Sequence, residues 1–259
     1  MLLKTATFKG GVHPEYNKEL TASKSIRKAN LPELVIIPLQ QHTGAPCKPL
    51  VKTGDEVKAG QKIGEAGGFV SVPVHSSISG KVIGIEMRPH PNGQQTLAII
   101  IESDGSDVID SSVQSKNDIN NLTSQQIIDI IKEAGIAGLG GAAFPTHVKL
   151  SPPPDKKIEI VIINGAECEP YLTCDHRVMI EKTDEVIYGA RAIMKALNAS
   201  KCVIGIESNK PDAIAAMLKA VSDYPNMDVI ALKTKYPQGA EKQLIKAITG
   251  KEVPSGGLP

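Results

Sequence analysis

The chain has 259 residues, of which 41% are hydrophobic and 22% charged, and its formal net charge at pH 7 is +1. This length can bury a sizeable core and predicts two domains, while the near-neutral charge and the 3% aromatic content, with no tryptophan, argue against nucleic acid as a partner. No apolar run reaches transmembrane length and the N-terminus is too short for a signal-peptide core, so we expect a soluble, intracellular chain.

The N-terminal part of the chain reads as an extended arm followed by a β-rich region. Residues 1–30 carry little periodicity, apart from a turn at Gly10-Gly11. From residue 34 onwards, short apolar runs alternate with turn residues at close spacing, which predicts strands. These runs lie at 34–37, 70–74, 81–85 and 97–101.

The turns of this β-rich region carry a recurring glycine pattern. It reads Val51-x-x-Gly54-Asp55-x-Val57-x-x-Gly60-Gln61-x-Ile63-Gly64. The pattern resembles the lipoyl and biotinyl carrier domains, whose fold is a barrel-sandwich hybrid. That family presents a swinging-arm lysine on a hairpin, but segment 65–69 is Glu-Ala-Gly-Gly-Phe and has no lysine. The resemblance therefore implies the scaffold without the carrier chemistry.

A segment rich in Ser, Asp and Asn at 102–121 predicts a linker that contains the domain boundary. The predicted domains are 1–110, with the arm and the barrel, and 120–259. Apolar residues at helical spacing between 127 and 134, with Thr123 or Ser124 as the cap, predict a helix at the start of the second domain.

The segment 135–145, which follows this helix, is a candidate phosphate-binding loop. Its glycines at 138, 140 and 141 allow backbone N–H groups to approach a ligand closely, and Pro145 can open a helix whose N-terminus favours an anion. Gly138-x-Gly140-x-x-Ala143 satisfies the dinucleotide fingerprint, but that fingerprint requires a preceding strand, and a helix is predicted there. A tightly turned connection between two helices remains an alternative on these residues alone.

Beyond the loop, strands and helices alternate. Apolar runs at 158–164, 202–207 and 229–232 predict strands, and helices are predicted at 145–150, 175–198, 211–221 and after 240. This alternation predicts an α/β fold in which a parallel sheet has helices on both faces. Right-handed crossovers bring the carboxyl ends of such strands to one edge, where α/β proteins bind ligands.

Two loops at that edge carry candidate polar residues. After the first strand, Glu167 and Glu169 can accept hydrogen bonds from ribityl or ribose hydroxyls, although a solvated acidic turn at a helix cap explains the same spacing. After the third strand, the segment from Tyr236 to Gly239 leads into a helix with Glu241 in its first turn, which favours an anion site or an ordinary helix start. The four cysteines form no C-x-x-C pair, so no metal site is predicted.

Long motifs recur in a fixed order along nearly the whole chain. They are Gly-Gly-Val-His-Pro at 10–14, Gln-His-Thr-Gly-Ala-Pro at 41–46, the glycine loop, the segment 163–170, Asp-His-Arg at 175–177, the segment 235–245 and Glu-Val-Pro-Ser-Gly-Gly-Leu-Pro at 252–259. In this order they resemble the C subunit of the Rnf complex, the membrane-bound ferredoxin:NAD oxidoreductase that couples electron transfer to ion pumping. The second domain is also similar to the flavin-carrying, NADH-oxidising subunit of respiratory complex I.

These resemblances imply a site for FMN and NAD(H) in which the flavin carries the chemistry and no side chain is the catalyst. The implied roles are Gly138, Gly140 and Gly141 lining the FMN phosphate and ring, Lys149 and Asn164 binding the flavin, Phe144 stacking on the nicotinamide nucleotide, Glu167 and Glu169 approaching flavin and dinucleotide, and Tyr236, Gly239 and Glu241 completing the pocket. Four positions, Leu139, Ala143, Ala166 and Ala240, depart from the complex I pattern of Arg, Gly, Asp and Glu. The lost carboxylates predict an altered NAD affinity or flavin potential.

The Rnf resemblance implies a peripheral subunit on the cytoplasmic face of the bacterial inner membrane. Its partners would be the other subunits of the membrane complex and a ferredoxin-linked electron chain, and it would exchange electrons between NAD(H), FMN and iron–sulfur clusters. In the family, the closing motif continues into a ubiquitin-like domain and a region with two 4Fe–4S clusters, so we expect an N-terminal fragment that is inactive alone. The alternative is an assembly and docking subunit with a degenerate flavin pocket, like the A subunit of sodium-pumping NADH:quinone reductase.

Overall fold

A computed structural model describes residues 5–114, 118–139, 142–257 and 259. The chain divides into two compact units, which we name the barrel unit, Ala29–Lys157, and the α/β unit, Met1–Lys28 with Ile158–Pro259. These units do not coincide with the predicted domains 1–110 and 120–259. The N-terminal arm groups with the α/β unit, and the helix and glycine loop that precede residue 157 group with the barrel unit.

The barrel unit contains two antiparallel sheets, with strand orders β1-β7-β6-β3 and β2-β4-β5. The strands are β1 (Leu34–Pro38), β2 (Lys48–Pro49), β3 (Glu56–Val57), β4 (Lys62–Glu65), β5 (Val74–His75), β6 (Gly80–Pro89) and β7 (Gln95–Ser103). Ile99 and Ile101 of β7 are fully buried and pack with Ile63 and Val82 in one core. The strands predicted at 34–37, 81–85 and 97–101 are confirmed by β1, β6 and β7.

The strand predicted at 70–74 is wrong except at its end, because only Val74–His75 is paired in a sheet. The backbone of Val72 is buried, but side chains satisfy it instead of a neighbouring strand. Its N–H donates to His42 Nε2 at 3.3 Å, and its carbonyl accepts from Cys47 Sγ at 3.0 Å. An apolar run can therefore be buried without forming a strand when side chains supply the hydrogen bonds.

Two helices in the barrel unit flank the glycine loop, namely α1 (Ser124–Glu133) and α2 (Thr146–Lys149). A capping box begins α1, because Thr123 Oγ1 accepts from Gln126 N while Gln126 Oε1 accepts from Thr123 N. Gly135, at φ +70°, follows the helix and lies so close to Pro73 that a Cβ would stand 2.6 Å from the Pro73 carbonyl oxygen. Glycine is required there by both the conformation and the close approach.

The α/β unit contains a three-stranded parallel sheet of order β10-β9-β8. Its elements are β8 (Ile160–Gly165), α3 (Cys174–Glu181), α4 (Thr183–Leu197), β9 (Lys201–Glu207), α5 (Pro211–Ala220), β10 (Met227–Leu232) and α6 (Glu241–Thr249). The helical region predicted at 175–198 is confirmed, and it divides into two helices at Lys182, where the backbone adopts the non-helical angles φ −132° and ψ 35°. Asp184 and Glu185 then favour a new helix start by complementing its dipole.

Helices cover this sheet on both faces, as predicted. One buried cluster joins Val161, Ile204 and Ala231 of the strands to residues of α3, α4 and α5. Side chains that point the other way, including Leu232, form a separate cluster with Leu244 of α6. The alternation of strand side chains between two apolar layers is the reason that the strands read as nearly continuous apolar runs.

The N-terminal arm is integrated into the α/β unit. Ala6 bonds alongside β10, donating to Ala231 O at 2.8 Å and accepting from Lys233 N at 2.9 Å. Val12 and Tyr236 exchange two further backbone bonds. Among the described residues, no helix is both long enough and apolar enough to cross a membrane.

All four cysteines are free, and their burial predicts sharply different reactivities. Cys47, Cys168 and Cys202 are buried, and burial raises the pKa of Cys202 to about 11, so its thiol stays protonated near neutral pH. We expect a chromogenic disulfide reagent to modify Cys174 rapidly in the folded chain and the buried thiols only after unfolding. Cys174→Ser should abolish the rapid phase, and its persistence in that variant would contradict the assigned burial.

Candidate functional site

The loops after β8 and β10 meet at the carboxyl edge of the parallel sheet. Asn164, at the end of β8, donates from Nδ2 to the Gly239 carbonyl at 2.8 Å. The Gly239 N–H in turn donates to Cys168 Sγ at 3.2 Å. A Cβ at position 239 would lie 3.3 Å from that sulfur and 3.4 Å from Ala166 Cβ. The parallel topology therefore brings Asn164 and Gly239, two of the predicted site residues, into direct contact.

Glu167 is buried, with a side chain that is only 1% exposed. Its Oε1 accepts from the N–H groups of Asp175 at 2.7 Å and His176 at 3.4 Å, at the start of α3. Its Oε2 lies 3.8 Å from Lys18 Nζ and 3.9 Å from Lys210 Nζ. Burial raises the pKa of Glu167, against the opposing effect of the cap and the lysines. The buried carboxylate thus accepts hydrogen bonds at the start of α3, where it complements the helix dipole.

Lys18, from the N-terminal arm, holds the backbone of this acidic turn. Its ammonium donates to the carbonyls of Glu167 at 2.8 Å, Glu169 at 3.0 Å and Leu172 at 2.6 Å. The lysine side chain is only 11% exposed, so the ammonium is largely removed from water. The side chain of Glu169 remains exposed beside them. Lys18 therefore sets the path of the turn that presents Glu169.

A second buried lysine, Lys210, joins the ends of the strands. Its ammonium donates to Ala166 O, after β8, at 2.8 Å and to Glu207 Oε2, at the end of β9, at 3.4 Å. Glu207 Oε1 accepts from Lys235 N, after β10, at 3.2 Å. Burial lowers the pKa of Lys210 and raises that of Glu207, and the opposite charge of each partner counteracts both shifts. All three strand ends are thereby connected through one buried ion pair.

The sequence prediction missed Lys18, Glu207 and Lys210. The available signal was a glutamate and a lysine three residues apart directly after a buried strand, a position at the ligand-binding edge of α/β sheets. Lys18 carries no comparable signal, because its partners lie about 150 residues away in the chain. Only the folded arm reveals that contact.

The loop after β10 combines a buried anchor with exposed predicted residues. Lys235 Nζ donates to the carbonyls of Phe8 and Gly10, and lies 3.7 Å from the centroid of the Phe8 ring. Tyr236 is 40% exposed, and Glu241 is exposed in the first turn of α6. The two predicted side chains thus lie at the surface, next to Lys235, which anchors the start of the loop to the N-terminal arm.

In the barrel unit, two backbone hydrogen bonds join the ends of the glycine loop. Gly138 N donates to Phe144 O at 2.9 Å, and Thr146 N donates to Ile136 O at 3.0 Å. Phe144 is partly buried, whereas Gly138 is exposed. Gly140 and Gly141, also predicted to bind the cofactor, lie outside the described residues. These two backbone hydrogen bonds hold the ends of the loop together.

Two features of this loop refine the predicted phosphate site. The helix that Pro145 precedes has only four residues, so its dipole is small, and Lys149 lies at its C-terminal end. Lys149 is exposed. Ala143 adopts φ +45°, a left-handed conformation that favours glycine, which explains why the complex I pattern has glycine there.

The predicted site residues thus divide between the two units. The barrel unit carries Gly138, Phe144 and Lys149, whereas the α/β unit carries Asn164, Glu167, Glu169, Tyr236, Gly239 and Glu241. Within these sets, Gly138 bonds to Phe144 and Asn164 bonds to Gly239. Of the α/β set, Glu167 is committed to capping α3, and the other side chains or backbones reach the surface.

Two protein-family models match this chain. The RnfC barrel sandwich hybrid domain matches residues 6–106, and the Nuo51 FMN-binding domain matches residues 131–259. Together the two matches account for the β-rich region, the glycine loop and the whole parallel sheet. The barrel and the second domain predicted from the sequence therefore have independent support at the level of family.

Several relatives are similar over nearly the whole chain. The C subunit of the Na(+)-translocating ferredoxin:NAD(+) oxidoreductase complex of Acetobacterium woodii is 54% identical over 259 residues, which is 100% of this chain and 58% of the relative. The proton-translocating counterpart of Clostridium ljungdahlii is 52% identical, covering 98% of this chain and 55% of the relative. The C subunit of an ion-translocating oxidoreductase complex of Pasteurella multocida is 44% identical over 96% of this chain and 30% of its own length. The chain thus spans little more than half, or less, of these relatives.

Similarity to solved structures is weaker. An NAD+-reducing NiFe-hydrogenase in the air-oxidized state matches with a TM-score of 0.45 and 22% identity, over 52% of this chain and 24% of the hydrogenase chain. The H2-reduced state of such an enzyme gives a TM-score of 0.43. These matches are too distant to support an inference about function.

The contacts of Lys18 predict a large effect on the stability of the α/β unit. Lys18→Met keeps most of the side-chain volume but leaves three carbonyls and the buried Glu167 without the ammonium. We expect a loss of about 3 kcal/mol in the free energy of unfolding, measured with urea. Lys24→Met, at an exposed position of the same arm, is the matched control and should change it by less than about 0.5 kcal/mol. Equal stabilities of the two variants would refute the anchoring role.

Proposed function

Because this chain belongs to the RnfC family and matches the N-terminal region of its members, we propose that it supplies the FMN- and NAD(H)-binding part of a ferredoxin:NAD+ oxidoreductase coupled to ion translocation. The observation that carries the proposal is the Nuo51 FMN-binding match over 131–259, which contains both sets of predicted site residues. The names of the relatives supply the electron donor, the acceptor and the coupling to ions.

The residues present fit a flavin mononucleotide in the chemistry of their donors and acceptors. Lys149 offers an exposed cation for a phosphate, and Gly138 offers a backbone without a side chain. Glu169 offers an exposed carboxylate that can accept from ribityl or ribose hydroxyls. Asn164 contributes less freely, because its amide already donates to Gly239 and accepts from Ala166 N at 3.3 Å. Its proposed role is to shape the loop surface under the flavin.

FMN, when bound, supplies the chemistry that converts a hydride, carrying two electrons, into single electrons. The protein supplies binding and orientation. Phe144 offers an aromatic face for a nicotinamide or flavin ring, and Tyr236 and Glu241 offer a ring and a carboxylate at the carboxyl edge of the sheet. Beneath that edge the side chains of Glu167, Glu207 and Lys210 are buried.

The proposal extends to the location and the partners of the full-length protein. We place it at the cytoplasmic face of a bacterial inner membrane, bound to the other subunits of the complex. Electrons would pass between the flavin and two 4Fe–4S clusters held by the part of the family sequence that lies beyond the present chain. A ferredoxin-linked electron chain would complete the route.

The decisive experiment uses the full-length protein purified with its complex. We expect a flavin absorbance spectrum that NADH bleaches under anaerobic conditions and that ferricyanide restores. An acid extract should identify the flavin as FMN. A complex that assembles normally but contains no flavin and does not bind NAD(H) would refute the redox role and support the docking alternative.

Removal of the exposed cation of the glycine-loop region should weaken FMN binding specifically. Lys149→Ala removes one charge-assisted bond to the phosphate, so we expect the Kd for FMN to rise about tenfold, measured by quenching of flavin fluorescence. The matched control is Lys156→Ala, because Lys156 is 69% exposed and pairs only at the surface with Asp155. Equal FMN affinities in the two variants would exclude Lys149 as a phosphate ligand. Riboflavin, which lacks the phosphate, should bind both variants equally.

A further inference from the structure

One barrel residue, Thr43, holds the glycine loop at two consecutive carbonyls. Its backbone N–H donates to Ala143 O at 3.0 Å, and its hydroxyl donates to Ala142 O. Both groups belong to the barrel unit, and the paired residues are about 100 positions apart in the chain. Two bonds from one residue fix the orientation of two successive peptide groups, which a single bond cannot do.

The segment that presents Thr43 is itself tightly held. His42 is buried, and its Nε2 lies 3.0 Å from Ser71 Oγ. Ala45 N donates to Val70 O at 3.0 Å. Gly44, at φ +113°, passes so close to Val70 that a Cβ would stand 2.0 Å from its carbonyl oxygen. Thr43 therefore projects from a rigid turn between two anchored neighbours.

The barrel also holds the helix that follows the glycine loop. Phe69 accepts on its carbonyl from His147 Nε2 of α2 at 3.0 Å, and the two rings meet edge to face with centroids 5.9 Å apart. Phe69 lies in the segment 65–69, where the carrier domains present their lysine. In this chain the same hairpin contacts the segment that carries the glycine loop.

Ala143 explains why such a support is needed. A residue with a side chain at φ +45° is strained relative to glycine, and strained residues persist when the surrounding structure over-determines them. The bond from Thr43 N to Ala143 O acts on the strained residue itself, and the hydroxyl bond acts on the residue before it. Together these bonds fix the orientation of the peptide groups at Ala142 and Ala143, in the described part of the loop.

We propose that Thr43 is a positioning residue for cofactor binding, through which the barrel pre-organises the glycine loop. The inference rests on the proposed function, because it takes the loop to be the FMN-binding element. Pre-organisation improves affinity by reducing the conformational entropy lost on binding, so Thr43 acts on FMN affinity without touching the ligand. In this chain the barrel, which has no carrier lysine, would instead support the glycine loop.

The test compares Thr43→Val and Thr43→Ser in the full-length protein. Valine removes the hydroxyl and keeps the shape and the backbone N–H, whereas serine keeps the hydroxyl. Thr53→Val, at an exposed turn of the same unit, is the matched control. Two readouts are taken: hydrogen–deuterium exchange at the Gly138 and Thr146 amides without flavin, and the Kd for FMN.

In Thr43→Val we expect exchange at both amides to accelerate about fivefold and the Kd for FMN to rise by a similar factor, with the thermal midpoint of unfolding changed by less than about 2 °C. Thr43→Ser and Thr53→Val should resemble the wild type in both readouts. Unchanged exchange in Thr43→Val would overturn the proposal whether or not FMN binds. Accelerated exchange with an unchanged Kd for FMN would overturn the positioning role alone, whereas a wild type that binds no FMN would refute the proposed function.

Discussion

The buried ion pair between Glu207 and Lys210 is the interaction on which the carboxyl edge of the α/β unit depends. Both side chains are at most 1% exposed, so neither charge is hydrated, and each is tolerable only because the other and the nearby backbone satisfy it. Lys210 also binds Ala166 O, and Glu207 binds Lys235 N. One pair thus fixes the three loops that follow the strands. Removing either partner alone would leave the other as an unpaired buried charge. This costs far more folding stability than breaking an exposed ion pair.

The N-terminal arm and the barrel each stabilise an exposed loop with hydrogen bonds from a distant residue. Loops that bind ligands need exposed backbone, and exposed backbone has few packing contacts of its own. In the α/β unit, Lys18 supplies hydrogen bonds to the acidic turn from a distant part of the sequence. In the barrel unit, Thr43 does so for the glycine loop. In both cases a residue that is far away in the sequence holds the loop in place.

The prediction from sequence was accurate where local pattern decides structure. The parallel strands, the capped helix before the glycine loop and the three long barrel strands follow from periodicity and capping residues, because these depend on neighbours a few positions away. It was wrong at residues 70–73, where side chains of His42 and Cys47 replace strand pairing, and it did not resolve the break at Lys182 within the predicted helical region. Those outcomes depend on contacts between segments that the pattern of either segment does not record.

The sequence by itself determined the family, the α/β and barrel-sandwich architecture, and the three loops in which the proposed cofactor residues lie, because long motifs and side-chain periodicity are written in the order of residues. Only the tertiary structure decided which of those side chains are exposed and which are buried. Glu167 and Glu169 are two positions apart and chemically alike, yet one is buried as a helix cap and the other is exposed. The difference arises from Lys18, Lys210 and the start of α3, which converge on Glu167 only when the chain is folded.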